Sequence, residues 1–365
     1  MKFETEYKAL FLSDKELTTI SRYCNCRENP LSLIPAVQPS PEEKEKAVIE
    51  FQNLEESNRL LFSEVIAGLA KPSQTGKFHY SIADEALTRM FLAWSSEDKD
   101  SVASLARTGD TLALRKTSIS EIKALLAQVV ALDTAIPSTK ISLTLSAAAI
   151  LVFMASMDYY RKEWYHSLLN HSIPDRTFST ADVLERIYDT SSEDFRWPLI
   201  FFTKVLPMSI SSSFTDEEVI SALKELTDSG LLMRDEAEEG EQGLALYSLT
   251  AAGDLITDGF LHDVSKAALS VSAPLDNGEI GHEALLFLRD TNYLWLIDIS
   301  GNRGEIANIN STSFDKLLLK IMGPPNMDPT KSSQPGSTIC TQCGTAAKPE
   351  DRFCSNCGAE IRAGE

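Results

Sequence analysis

The sequence is poor in positive charge. Its 365 residues hold 34 Lys and Arg against 53 Asp and Glu, a formal net charge of −19. A surface this acidic repels phosphate backbones and anionic lipid, and no Lys/Arg-rich stretch interrupts it. Neither a nucleic-acid partner nor a membrane is therefore expected. Long apolar runs are missing too. The most apolar segment, residues 141–157, contains three serines and a threonine and is shorter than the ~20 residues that span a bilayer; it reads as a buried helix. Reactive motifs are also lacking. There is no HExxH, no GxxxxGK[ST], no GxSxG, and no GxGxxG after a strand. Of the five histidines, His166 and His171 stand five apart, off the i, i+4 spacing of a helical metal pair, and His79, His262 and His282 are isolated. The chain is expected not to be an enzyme.

Cysteine is scarce except at the end, where four of the six fall in the last twenty-six residues. Cys340 and Cys343 form one CxxC pair, Cys354 and Cys357 a second, and Gly344 and Gly358 follow them. Two such pairs are a zinc-ribbon signature. Four thiolates close a tetrahedral shell at about 2.3 Å, with no position left for substrate. So short a segment cannot bury a core, so the metal must supply its folding energy. One structural Zn2+ per chain is expected, with Cys340, Cys343, Cys354 and Cys357 as ligands. Two disulfides would be the alternative in an exported protein. The opening residues carry no apolar leader, and a reducing cytoplasmic setting is expected instead. Cys24 and Cys26, with no third ligand nearby, read as ordinary thiols.

The body repeats a pattern. Strands are expected near 85–94, 101–107 and 111–116, followed by a helix capped around Ser118 and Ser120. The same order recurs at 283–289, 293–299 and 305–310, with a helix capped by Ser311 and Ser313. Ahead of each unit a serine, Ser13 or Ser146, caps an apolar helix. Trp94 and Trp295 are expected at related core places in the two repeats.

Residues 179–262 read as a winged helix. Thr180 opens a helix with Val183, Leu184 and Ile187, and a second helix follows over 197–205. Thr215 and Glu218 form a capping box for a helix whose apolar stripe is Val219, Ala222, Leu223 and Leu226. A strand, an acidic wing over 235–243, a return strand and a closing helix after Thr250 complete it. The string resembles marR-type and padR-type winged helices, which would imply a transcriptional regulator. From Asp216 to Asp258, however, there are twelve carboxylates against Lys224 and Arg234 alone. Nothing there offsets repulsion by phosphate, so a protein-docking role is expected and regulation is the alternative.

Taken together the chain is expected to be α+β: tandem duplicated winged-helix-like plus βββα units, followed by a small zinc ribbon. The divisions are 1–135, 136–323, a Pro/Gly/Ser-rich flexible linker at 324–338 and the ribbon at 339–365. The element order over 87–130 and 284–321 resembles the EspG proteins of type VII (ESX) secretion. That resemblance implies a cytosolic, non-enzymatic chaperone that holds a helical export substrate. The expected function is thus a non-catalytic, cytoplasmic, protein-binding adaptor or secretion-chaperone-like protein.

Overall fold

The computed structural model describes residues 1–82, 87–95, 100–132, 136–137, 141–189, 194, 197–205, 214–235, 245–275, 279–300, 303–322, 338–339 and 346–347. The elements are β1 (Lys2–Glu4), β2 (Ala9–Leu12), α1 (Asp14–Tyr23), α2 (Pro41–Gln52), α3 (Glu56–Ala70), β3 (Gln74–Ile82), β4 (Thr88–Trp94), β5 (Ser101–Thr108), β6 (Thr111–Ser118) and α4 (Ile119–Val129). There follow β7 (Ser142–Ser146), α5 (Ala147–Asn170), β8 (Thr177–Ser179), α6 (Thr180–Tyr188), α7 (Pro198–Val205), α8 (Asp216–Asp228), β9 (Leu232–Asp235), β10 (Leu246–Leu249) and α9 (Ala251–Leu261). The last are β11 (Ser265–Pro274), β12 (Ile280–Arg289), β13 (Leu294–Ser300), β14 (Arg303–Asn308), α10 (Ser311–Met322), β15 (Thr338–Ile339) and β16 (Ala346–Ala347). The chain is thus mixed α and β, in two compact units, Met1–Ile309 and Asn310–Glu365.

One antiparallel sheet of eleven strands runs through the first unit, in the order β1-β2-β6-β5-β4-β3-β11-β12-β13-β14-β7. Its centre is the pairing of β3 with β11, in which Thr75–Ile82 lie opposite Ser265–Ser272. Opposed residues share a face, so the register sorts the side chains. On one face, Leu10, Leu12, Ala93, Ala103, Leu105, Leu112 and Leu114 are buried with residues of α1, α2 and α3. On the same face at the other end, Ala268, Ala284, Leu286, Trp295, Ile297, Ile299 and Ile306 are buried with α5 and the helices around it. Two helical layers therefore stand on one side of the sheet. The opposite face buries Phe78, Leu92, Val102, Leu269 and Phe287, and α4 packs there across β3 and β11.

Local signals set the helices. Ser13, Ser40, Ser118, Ser179 and Thr215 each close a reciprocal capping box with an acid three residues on, satisfying two orphan N–H groups apiece. The cap of α6 is Ser179 with Asp182, one residue before the expected Thr180. Ser146 caps α5 without an acid of its own; Glu225 of α8 accepts from its N–H and hydroxyl at 2.7 and 2.6 Å. The segment expected as one apolar helix from 141 begins instead as β7, because the Ser142, Thr144 and Ser146 alternation suits an edge strand. From Ala147 to Asp158 nearly every side chain of α5 is buried, as befits a helix apolar on all sides. Glycine matters at two points. Gly109 turns β5 into β6 at φ +59°, and a Cβ on Gly259 would collide with Trp295 Nε1 and Asp290 Oδ2.

Trp94 and Trp295 are both buried but do not occupy related places. Trp94 ends β4 opposite Gln74, whereas Trp295 lies in β13 opposite Leu288, which puts them on opposite faces. Trp295 Nε1 donates to Asp290 Oδ2 at 3.0 Å, and Asp290 Oδ1 accepts from the Asn292 and Tyr293 N–H groups. A main-chain turn and a core ring thus share one carboxylate.

Under the α5 layer lies a buried ionic group. Asp158 is fully buried, 3.5 Å from Arg186, and accepts from the Leu199 N–H at 3.3 Å. Burial pushes its carboxyl up to about 7, against the pull of Arg186 and Arg161. Arg186 also covers the Trp197 ring at 4.5 Å, and Asp263 holds Lys266 at 3.0 Å. Breaking such a pair from one side strands a charge in low dielectric. Asp158→Leu is expected to lower the unfolding free energy by about 3–5 kcal/mol, read from urea midpoints. Asp158→Leu combined with Arg186→Met is expected to cost less than Asp158→Leu alone.

Candidate functional site

Two regions carry the functional signals. The first is the tail. β15 and β16 form a hairpin, Thr338 opposite Ala347 and Ile339 opposite Ala346. The six residues that join them in sequence include Cys340 and Cys343. A short hairpin whose connecting sequence carries a CxxC pair suits a zinc knuckle, and thiolate donors suit zinc. All four expected ligands, Cys340, Cys343, Cys354 and Cys357, lie outside the described residues, as does the expected linker at 324–338 except Thr338, which opens β15. Among the described residues no cluster of His, Cys, Asp and Glu could hold a metal.

The second is the middle of the sheet. Between the two helical layers the shared face carries Thr75, Lys77, His79 and Ser81 of β3 and Ser270 and Ser272 of β11. Arg89 of β4 lies opposite His79, and His282 of β12 lies opposite Ser272. The strip is polar where the same face to either side is apolar. Lys77, Arg89 and His282 are exposed. Ser272 Oγ and His282 Nδ1 are hydrogen-bonded at 2.8 Å.

His79 is only 6% exposed, and neither ring nitrogen has a hydrogen-bond partner among the described residues. Burial, with the charges of Arg89 and Lys77, brings its pKa down to about 4. Burial and Lys77 lower His282 as well. None of these side chains drew notice as a site in sequence. The signal was there for β3, whose residues 75–82 alternate polar and apolar with period two.

The other sequence candidates separate. His166 lies within α5, and His171 is its left-handed C-cap at φ 52°; they form no ligand pair. Trp164 packs edge-on against His262 at 6.2 Å. Cys24 and Cys26 are half-buried free thiols, both raised by burial, lining a groove of about 640 Å³ under α3. A raised thiol is a poor nucleophile. In the helix after the capping box at Thr215, the exposed side chains are Asp216, Glu217, Glu218, Ile220, Ser221, Lys224 and Asp228. Four carboxylates against one ammonium is the wrong sign for a phosphate-facing helix. Most of the expected wing, residues 236–243, lies outside the described residues. No described helix is long and apolar enough to cross a membrane.

The lowered pKa of His79 has a sign. A histidine whose folded pKa lies below its unfolded value stabilises the fold fully above about 6.5. That stability is lost as pH falls through about 4. Relative to His79→Gln, the wild type is expected to lose at most roughly 3 kcal/mol of unfolding free energy between pH 7 and pH 4. Chemical denaturation of both proteins at each pH reads this directly.

A zinc-ribbon domain model matches residues 339–361, so the tail is a zinc ribbon and zinc binding is implied. No curated protein matches the chain. Among solved structures, the Mycobacterium tuberculosis type VII secretion system chaperone EspG5, in complex with a PE25–PPE41 dimer, is similar at a TM-score of 0.44 and 11% identity. The match covers 86% of this chain and 95% of that one. The similarity is weak, and the functional reading rests on this chain's own geometry.

Proposed function

We propose that the chain is a non-catalytic adaptor that holds another polypeptide against the middle of its sheet, with the zinc ribbon as a second contact. The observation that carries this is the polar strip along β3 and β11, flanked by the exposed Arg89 and His282. Thr75, His79, Ala268 and Ser270 within it are buried, and α7 packs on β11, so the docking surface is the exposed part of the strip at Lys77, Arg89 and His282. From β4 to β12 is three interstrand spacings, roughly 14 Å. An α-helix with its side chains is about 10–12 Å across, so one helix laid over Lys77, Arg89 and His282 would reach across the strip. A helical segment is therefore the proposed partner, and an export substrate is one kind of protein that would present it. A reducing cytoplasm is the proposed setting, since it keeps Cys24, Cys26 and four zinc-binding thiolates reduced.

The architecture supports two finer readings. The sheet order β2-β6-β5-β4-β3 is mirrored by β7-β14-β13-β12-β11, and a serine cap follows β2 and β7 alike. We take this as a tandem duplication of 1–135 and 136–323. The order α6, α7, α8, β9, β10, α9, with the small sheet β8-β10-β9, supports a winged-helix-like module turned to packing. Its exposed carboxylates argue against transcriptional regulation, and nothing found in the chain favours that alternative.

In the ribbon, Cys340, Cys343, Cys354 and Cys357 are the proposed ligands of one structural Zn2+ per chain; the metal supplies folding energy to the tail and no reactive position. Two measurements test the proposal. Cys354→Ser is expected to release the metal, read by atomic absorption of the purified chain, while the main thermal transition moves little; retained stoichiometric zinc would refute the ligand set. Affinity capture from native lysate is expected to recover a stoichiometric protein partner that His282→Trp, which fills the strip, fails to retain. Equal retention by that variant would place the docking surface elsewhere.

A further inference from the structure

We infer that the groove between α1, α3 and the strands β4–β6 binds a small organic acid, its carboxylate held by Arg27 and Lys71 and its apolar body laid along α3. The site is separate from the docking surface on β3 and β11 and goes beyond the adaptor reading. The groove encloses about 640 Å³, within the roughly 300–1,000 Å³ of small-molecule sites. Its long wall is one face of α3, since Glu64, Ala67, Gly68 and Lys71 recur at i, i+3, i+4 and i+7. The end of α1 adds Cys24, Cys26 and Arg27, and the sheet adds Ala93, Ala103 and Lys116.

Charge selects the occupant. Three cations and one carboxylate line the groove, in a chain where acids outnumber bases 53 to 34. Glu64 lies 3.6 Å from Lys116, so that end is compensated. Arg27 and Lys71 are exposed, and neither has a carboxylate within ion-pair distance among the described residues. They stand at one end of the groove, because the chain after Arg27 is tied to the end of α3. There the Asn29 N–H donates to the Ala70 carbonyl at 3.1 Å, and the Asn29 amide to the Pro72 carbonyl at 2.8 Å. Two cations left without a partner suit one carboxylate. Seven positions of helix set Glu64 roughly 10 Å from Lys71. Between them the wall is Ala67 and Gly68, and the floor is Ala93 and Ala103, paired across β4 and β5. Burial raises the thiols of Cys24 and Cys26, so they stay neutral and leave the field to the cations. The fitting molecule is therefore anionic at one end and apolar along its length. Gly68 supports a space kept open. It lies inside α3, ahead of the Lys71 C-cap, where glycine is a poorer helix former than alanine. No neighbour demands it, since an added Cβ would come no nearer than 3.9 Å to Ala103 Cβ. What the missing side chain does is leave the groove unfilled.

The test uses the full chain and three probes: octanoate, octylammonium as a cation of the same length, and inorganic phosphate as an anion without the apolar body. Alkylation of Cys24 and Cys26 by iodoacetamide, read by mass spectrometry of the peptide that carries them, reports on the groove. Calorimetry gives the affinity. At about four times its dissociation constant, octanoate is expected to slow alkylation about fivefold, the mass-action factor 1 + [L]/Kd. Octylammonium and phosphate at equal concentration are expected to leave the rate unchanged. Arg27→Glu with Lys71→Glu, at two exposed positions, is expected to weaken octanoate about tenfold or more. Gly68→Leu, which improves the helix and fills the groove, is expected to abolish the binding heat with the main thermal transition retained. No binding of octanoate, or equal protection by octylammonium or phosphate, would overturn the assignment. So would octanoate affinity unchanged by the double reversal or by Gly68→Leu.

Discussion

Everything in the first unit depends on the pairing of β3 with β11. These strands are separated by almost two hundred residues of chain, yet they join in unbroken antiparallel register from Thr75 opposite Ser272 to Ile82 opposite Ser265. The side-chain period of a strand is two, so a slip of one residue would exchange the faces of one whole half relative to the other. Phe78 and Leu269 would then fall on opposite faces and could no longer both lie beneath α4. The correct register puts α1–α3 and the α5 layer on one side of a single sheet. The polar strip follows from that, because it is where the two helical layers of one face meet.

Much of this was legible in the chain. The strands β4, β5 and β6 and the strands β12, β13 and β14 follow from alternation and turn residues. The serine and threonine caps are reciprocal with acids three residues on, as capping chemistry requires. The CxxC pairs declare the ribbon without help. The seam itself was not legible. β3 and β11 lie just after α3 and α9, and β11 reads Ser-Lys-Ala-Ala-Leu-Ser-Val-Ser, small residues that serve a helix as readily as a strand. What decides for strand is the partner on each side, β3 and β12, and that is tertiary information. The same reason hid the cations. Lys77, His79, Arg89 and His282 are scattered over three strands, and a scan for linear Lys/Arg clusters cannot find a patch that only cross-strand register assembles. The two tryptophans failed in the opposite direction: similar surroundings in sequence concealed opposite faces.

Charge distribution gives the strip its meaning. A surface that carries an excess of nineteen acids resists self-association and polyanions alike. Against that background even a few cations gathered on one face make a local well, and low-dielectric walls deepen it. The helix after Thr215 shows the reverse arrangement, four exposed carboxylates on the helix that would face a phosphate backbone. A helix of that sign can pack or dock, and cannot read a duplex by the usual electrostatic route.

The polar character of the seam also answers a problem the topology creates. In any state where the two halves are formed but not yet joined, β3 and β11 are bare edges, each eight or more residues long. Long flat edges recruit other chains unless charge interrupts them. On β3 the face shared with the helical layers supplies Lys77 and His79, and on β11 it supplies Lys266, Ser270 and Ser272. Two like-charged edges would also slow their own pairing, but the cations are offset: Lys77 meets Ser270 and Lys266 meets Ser81. Native pairing therefore sets no ammonium opposite another, whereas a slip of four residues would set Lys77 against Lys266. The polar side chains of the seam are thus the ones that keep its edges from the wrong neighbours and its register from slipping.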